Sequence, residues 1–275
     1  NLYICRLNFT TMKKLFLLRL LISLFCLELT TSVLYAQNNS LSCDTYFRFS
    51  ESENLPILLI NSDNNLLSLS VENRYFLKEM TSERFSCSFA YRRHRFFASV
   101  QHTGFSRFGE LLGRVGYGLK LSPRFAIVSH FYYSMFHAKS YNPVHSITFD
   151  LSLCAEVNDQ IGVVLQAYNP AHLHYGIVSE NPIPITLQSM LYYKIHRDLF
   201  LSAQLSKDLP GNWDVNLSAY YVLRCLALKG TVSLRSLSAD ISCQWRSLLF
   251  SLRSQYDYQV GFSQSAVITF SWSQK

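Results

Sequence analysis

From Phe85 to Trp272 the chain keeps one rhythm, apolar and polar residues alternating segment after segment. In WDVNLSAYYVLR (213–224), Trp213, Val215, Leu217, Ala219, Tyr221 and Leu223 fall on one side. Asp214, Asn216, Ser218, Tyr220, Val222 and Arg224, mostly polar or charged, fall on the other. Period two places successive side chains on opposite faces of an extended strand. VHSITFDLSLCAEV repeats the pattern, with Ile147, Phe149, Leu151 and Leu153 set against Ser146, Thr148, Asp150, Ser152, Cys154 and Glu156. Turn signals punctuate the run: Ser122-Pro123, VNDQ, Arg197-Asp198, LPGN. About a dozen strands of roughly ten residues result. Helical periodicity is absent over this span, and so is the strand–helix alternation that a parallel α/β fold needs.

Strand length and face chemistry narrow the architecture. Ordinary strands average about five or six residues, whereas a tilted membrane strand needs about 9–11. The apolar faces carry aromatics near strand ends: Trp213, Tyr221, Tyr256, Tyr258, Phe270 and Trp272. These are candidate membrane-interface residues, because barrels in lipid carry aromatic girdles at both interfaces. The opposite faces carry candidate lumen charges: Asp150, Glu156, Lys194, Asp214, Arg224, Arg246, Arg253 and Asp257. Such charges either tune passage of a polar solute or pair across strands and fill a narrow barrel. Lipid cannot satisfy backbone N–H and C=O groups, so membrane strands must close on themselves. The expected fold is therefore all-β: a closed antiparallel transmembrane β-barrel of about 12–14 strands with a short N-terminal segment. The alternative is a soluble exported β-sandwich, with the apolar faces packed between two sheets.

The N-terminus carries an address. Met12-Lys13-Lys14 opens a basic stretch, LFLLRLLISLFCLEL is apolar but for Arg19 and Glu28, and VLYA ends at Ala36 before Gln37. This is the layout of a secretory signal peptide. Residues 1–36 are read as upstream residues plus that peptide, with the start at Met12; 37–80 as an irregular N-terminal segment; and 81–275 as the barrel. Within 67–80, Leu67, Leu69 and Val71 alternate like a strand, while ENRYFLKEM suits a short helix equally. Removing residues 1–36 lowers the formal charge from +7 to +4, and no Lys/Arg block suggests a nucleic-acid partner. The expected partners are the lipid bilayer, the barrel-assembly machinery and an envelope protein.

No motif carries catalysis, a cofactor or a metal. Cys43, Cys87, Cys154, Cys225 and Cys243 are odd in number and scattered, unlike a disulfide framework or a zinc site. Ser129-His130 and His145-Ser146 are adjacent pairs, so each points to opposite faces of a strand, and G-x-S-x-G is missing. His172 and His174 share a face if extended, without a supporting ligand nearby. Tyr141-Asn142-Pro143-Val144-His145 and Tyr168-Asn169-Pro170-Ala171-His172 repeat a pattern. They read as matched ligand loops or, more simply, as strand ends, since Pro cannot donate to a ladder.

VENRYFLKEM (71–80), GELLGRVGYGLKLSPRFAIVSHFYY (109–133), VNDQIGVVLQAYNP (157–170), PITLQSMLYYKIHRDLFLSAQLSKD (184–208) and SQSAVITFSW (263–272) together resemble a known group. These are the small exported barrels of Bacteroidetes-type bacteria, distant relatives of the FadL-like transporters and of PorV and PorQ of type IX secretion. The resemblance spans roughly residues 66–275 and is one of architecture. The closing AVITFSW also resembles the C-terminal signal read by barrel assembly. Together these imply a channel or transporter for small or apolar solutes, or a non-conducting barrel that docks an envelope or secretion machine.

Overall fold

The computed structural model describes residues 43–51, 56–62, 64–105, 107–174 and 183–273, so the expected signal peptide lies outside them. Among the described residues, fourteen strands follow one short helix. The helix α1 is Cys43–Glu51, and a 3-10 turn spans Pro56–Asn61. The strands are β1 Asn64–Arg74, β2 Thr81–Tyr91, β3 His94–Phe105, β4 Phe108–Ser122, β5 Phe125–Ala138, β6 Val144–Glu156 and β7 Ile161–Tyr168. They continue as β8 Ile185–His196, β9 Leu199–Leu209, β10 Trp213–Leu223, β11 Leu226–Ser233, β12 Ser236–Trp245, β13 Leu248–Asp257 and β14 Gly261–Ser273. Each pairs antiparallel with its sequence neighbours, and β1 pairs with β14 to close the ring. At the seam Leu67 faces Phe270, Leu69 faces Ile268 and Val71 faces Ala266. Closure therefore leaves no edge strand.

Side chains are distributed inside out relative to a soluble domain. Phe131 is 59%, Ile147 64%, Leu217 57% and Leu252 62% exposed on the outer wall. Arg95, His130, Asp150 and Lys229 are buried within. A soluble monomer's largest apolar patch is about 300–600 Å², and this one circles the barrel.

The barrel begins at Asn64, earlier than the boundary at residue 81 that the sequence suggested. The helical option for ENRYFLKEM fails because Tyr75 and Phe76 take positive φ angles of 58° and 56° and reverse the chain. Only a 3-10 turn, Lys78–Met80, remains of it. The segment expected to be irregular contributes α1. Nine residues are too few for a stable helix in water, so packing must hold this one, and Tyr46 and Phe47 are almost wholly buried.

The rim where β1 begins and β14 ends, here the near rim, carries tight turns such as those at 92–93, 224–225 and 246–247. The far rim carries longer connections, including 75–80 and 139–143.

Inside the wall, glycine makes room for polar side chains. A Cβ at Gly116 would overlap the His130 ring, whereas at Gly230 it would meet nothing within 4 Å. Gly116→Ala is expected to destabilise the barrel by about 1–3 kcal/mol through overpacking. Gly230→Ala is expected to leave it unchanged. The check is the temperature at which each purified variant loses its compact form on SDS gels.

Candidate functional site

The lumen is occupied by α1 and the Pro56–Asn61 turn. Apolar contact seats them: the Phe47 ring lies 5.0 Å from Tyr192, 5.1 Å from Phe200 and 5.1 Å from Tyr220. These partners are inward residues of β8, β9 and β10. On the other side Ile60 fills the space left by Gly118, beside Phe97 and Val128.

Polar groups then bolt the plug to the wall at three places. Arg48 pairs with Asp44 one turn back at 2.9 Å and with Glu156 of β6 at 3.0 Å, and donates to the Leu58 carbonyl at 3.0 Å. Glu51, at the end of α1, pairs with Lys229 of β11 and accepts from the Tyr220 hydroxyl at 2.6 Å. Arg95 of β3 donates to the carbonyls of Ser62 and Asn64 and to Ser88 Oγ, fixing the chain between plug and β1. Burial opposes ionisation of Glu51, but Lys229 and the Tyr220 hydroxyl outweigh it and hold the carboxyl below its ordinary range. Burial likewise opposes the Arg48 charge, and Asp44 and Glu156 outweigh that and push its pKa upward.

Strand register extends the second bolt. Lys229 faces Asp240, which faces Arg253 across the next pair. Arg253 Nε donates to Asp240 Oδ1 at 2.6 Å, while Lys229 Nζ stands 3.9 Å from Oδ2. A second buried cluster lies across β5–β7. Asp150 accepts from His130 Nδ1 at 2.9 Å, the Tyr132 hydroxyl at 2.5 Å and Gln166 at 2.8 Å. His130 Nε2 has no hydrogen-bond partner, and Ser129 Oγ donates to the Asp150 backbone carbonyl instead. No serine–histidine–acid triad forms here.

The sequence-predicted charges divide. Asp150, Glu156 and Arg253 point into the lumen and take part in these clusters. Lys194 points inward with Nζ 5.8 Å from the Phe200 ring. Asp214 is partly buried near the far rim, its Oδ1 without a hydrogen-bond partner. Asp257 ends β13 and caps the turn, accepting from the amides of Gln259 at 2.8 Å and Val260 at 3.0 Å. Arg224 and Arg246 are not lumen residues. Both are exposed in near-rim turns at φ 55° and 54°, because their strands end one residue earlier.

The aromatics sit as two bands on the outer wall. Trp213, Tyr256 and Tyr258 lie at the far rim, and Tyr221, Phe270 and Trp272 at the near rim. Phe270 stacks on Trp272 at 5.4 Å. The two Y-N-P-x-H loops are unlike each other. Tyr141 is 78% exposed, whereas Asn169 is buried and its side chain bonds Thr148, Leu173 and Ile183. The second therefore knits its own loop. His172 and His174 stack at 5.6 Å, and among the described residues no group of His, Cys, Asp or Glu is arranged to hold a metal.

Sequence reasoning missed Glu51, Arg48, Lys229, Asp240 and Arg95. Lys229 and Asp240 stand inward on adjacent strands, a signal usable only once the hairpin register is known.

No family model matches the sequence, and no curated protein matches it. In three dimensions the P. putida toluene transporter TodX aligns with a TM-score of 0.61 at 9% identity, covering 80% of this chain and 93% of that one. A TodX deltaS2S3 mutant, titled a monoaromatic hydrocarbon channel, aligns at 0.63 and 8% identity, over 82% and 94%. A Pseudomonas aeruginosa FadL homologue aligns at 0.55 and 9%, over 81% and 93%. In fold this chain is a closed antiparallel β-barrel similar to these three. At these identities the likeness is one of architecture alone.

Lys229→Met leaves Glu51 buried without its cation. Breaking a buried pair costs about 3–5 kcal/mol, so the plug is expected to leave its seat and Arg48 to become cleavable by trypsin. Glu51→Gln together with Lys229→Met is expected to recover part of the protection. Acid acts on the same bolt. Glu51's depressed pKa means that its contribution is complete above the ordinary carboxylate value near 4.5 and is lost as pH falls through its own lower value. Trypsin-accessible Arg48 after brief incubation at successively lower pH, assayed at pH 8, reads this out if reseating is slow.

Proposed function

We propose that the chain is an integral β-barrel of the bacterial outer membrane that conducts small or apolar solutes and is held shut at rest by its own N-terminal segment. One observation carries this reading: a closed barrel, apolar outside, whose lumen is filled by a short helix attached through separable polar bolts. Release would exchange these ion pairs and hydroxyl contacts for water, while the packing of Phe47 and Ile60 on the wall holds the segment in place at rest. The aromatic bands support the membrane reading, with Trp213, Tyr256 and Tyr258 as anchors at one interface and Tyr221, Phe270 and Trp272 at the other. Asp150, Glu156, Lys194, Asp214, Arg253 and Asp257 act as lumen or rim charges. Arg224 and Arg246 lie where lipid headgroups would meet them. β14, with its terminal aromatics, suits recognition by the assembly machinery.

A second reading has one specific support. The sealed lumen also suits a non-conducting barrel that docks an envelope machine, as the resemblance to PorV and PorQ suggests. Planar-bilayer recording separates the two. The channel reading expects rare openings in the wild type and an open probability raised about tenfold or more by Lys229→Met, the effect of about 1.4 kcal/mol. If both proteins are silent and the wild type co-purifies with an envelope protein, docking replaces conduction.

A further inference from the structure

The hairpin turns of the near rim share one residue type. Five of the six, at 92–93, 123–124, 197–198, 224–225 and 246–247, carry an exposed arginine. Arg124 and Arg197 stand beside carboxylates, Asp159 at 3.2 Å and Asp198 at 3.3 Å. Arg92, Arg93 and Arg246 have no acidic partner among the described residues. These three flank the seam, because one turn joins β2 to β3, the other joins β12 to β13, and β14 and β1 lie between. Two of them lie against the outer wall. Arg92 Cζ is 5.4 Å from the centre of the Tyr91 ring, and Arg246 Cζ is 5.7 Å from that of Trp245. Both rings face outward and are exposed. Between them Phe89 meets Trp272 edge-on at 5.9 Å, beside the stack of Phe270 on Trp272. An aromatic shelf on the outer wall is thus bordered at the rim by three guanidinium groups. A guanidinium packed on an outward ring, level with the near-rim aromatic band, faces the lipid interface.

We infer that this shelf is a binding surface for phospholipids whose headgroup carries a net negative charge. One headgroup phosphate accepts from Arg92 and Arg93 on one side of the seam, and another accepts from Arg246 on the other side. The acyl chains lie over Phe89, Phe270 and Trp272. Arginine's planar fork matches two phosphate oxygens at once. The preference for a net anion follows from the surroundings. Among the described residues of the two turns and of the strand ends between them, none is acidic. A choline or ammonium headgroup therefore meets only cations, whereas a net negative headgroup is attracted. The inference goes beyond conduction and needs only the barrel's place in the membrane. Lipid held on both sides of the seam binds the closed ring and so stabilises it where β1 meets β14.

The test is native mass spectrometry of the full chain released from nanodiscs made of equal parts phosphatidylglycerol and phosphatidylcholine. Phosphatidylglycerol is expected to stay bound with a preference of about tenfold or more, which corresponds to about 1.4 kcal/mol. Arg92→Gln, Arg93→Gln and Arg246→Gln together are expected to erase that preference. Arg107→Gln with Arg235→Gln, which removes exposed arginines from the far rim, is expected to leave it intact. Excess glycerophosphate, which has the headgroup chemistry without acyl chains, is expected not to displace the lipid. Equal retention of the two lipids by the wild type overturns the inference. So does an equal loss of preference in the near-rim and far-rim variants, or displacement by glycerophosphate. Should the near-rim variant not fold, the comparison of the two lipids on the wild type still decides. No conductance enters the readout, so a silent bilayer recording leaves this result standing, and equal lipid retention leaves conduction standing.

Discussion

Everything in this molecule depends on the closed ladder of backbone hydrogen bonds. A strand whose outer face meets hydrocarbon has no water for its N–H and C=O groups, so each must find a partner in the next strand. The β1–β14 seam completes that condition. Leu67, Leu69 and Val71 lie opposite Phe270, Ile268 and Ala266, so the apolar belt runs across the seam unbroken. Once the ring is closed, the pleat sends every second side chain inward, and the polar half of the alternation becomes an interior.

That interior creates the problem the N-terminal segment solves. Charges such as Arg95, Lys229 and Asp240 are costly to bury unless each is paired. The plug supplies Glu51 for Lys229, and the chain that leads from it into β1 supplies the carbonyls of Ser62 and Asn64 for Arg95. Its own Arg48 finds Glu156. The wall in turn stabilises a nine-residue helix that could not persist in water. Helix and wall are thus mutually dependent.

Much of this was legible in the sequence, for a mechanical reason. Side-chain alternation is imposed by the pleat itself, so the strands from β2 to β14 could be read directly. β1 was ambiguous because nothing in ENRYFLKEM announces that Tyr75 and Phe76 will adopt positive φ, a conformation more common for glycine or asparagine. Arg224 and Arg246 were misplaced for a related reason: alternation does not mark where a strand stops, and here arginine takes the turn position. α1 was invisible because it is short and owes its helicity to the wall. The Lys229–Asp240–Arg253 row depends on register between strands, which sequence separation leaves open.

The most direct test of the central claim, a barrel spanning lipid with its apolar face outward, uses the chain's three tryptophans. Trp213 sits at the far rim, and Trp245 and Trp272 at the near rim. The protein would be reconstituted in vesicles of lipids brominated at defined depths, and the quenching of tryptophan fluorescence measured. The account predicts strong quenching by bromines near the headgroups and weak quenching by bromines at the bilayer centre. Fluorescence unaffected by bromine at any depth would contradict it and return the apolar faces to the core of a soluble protein.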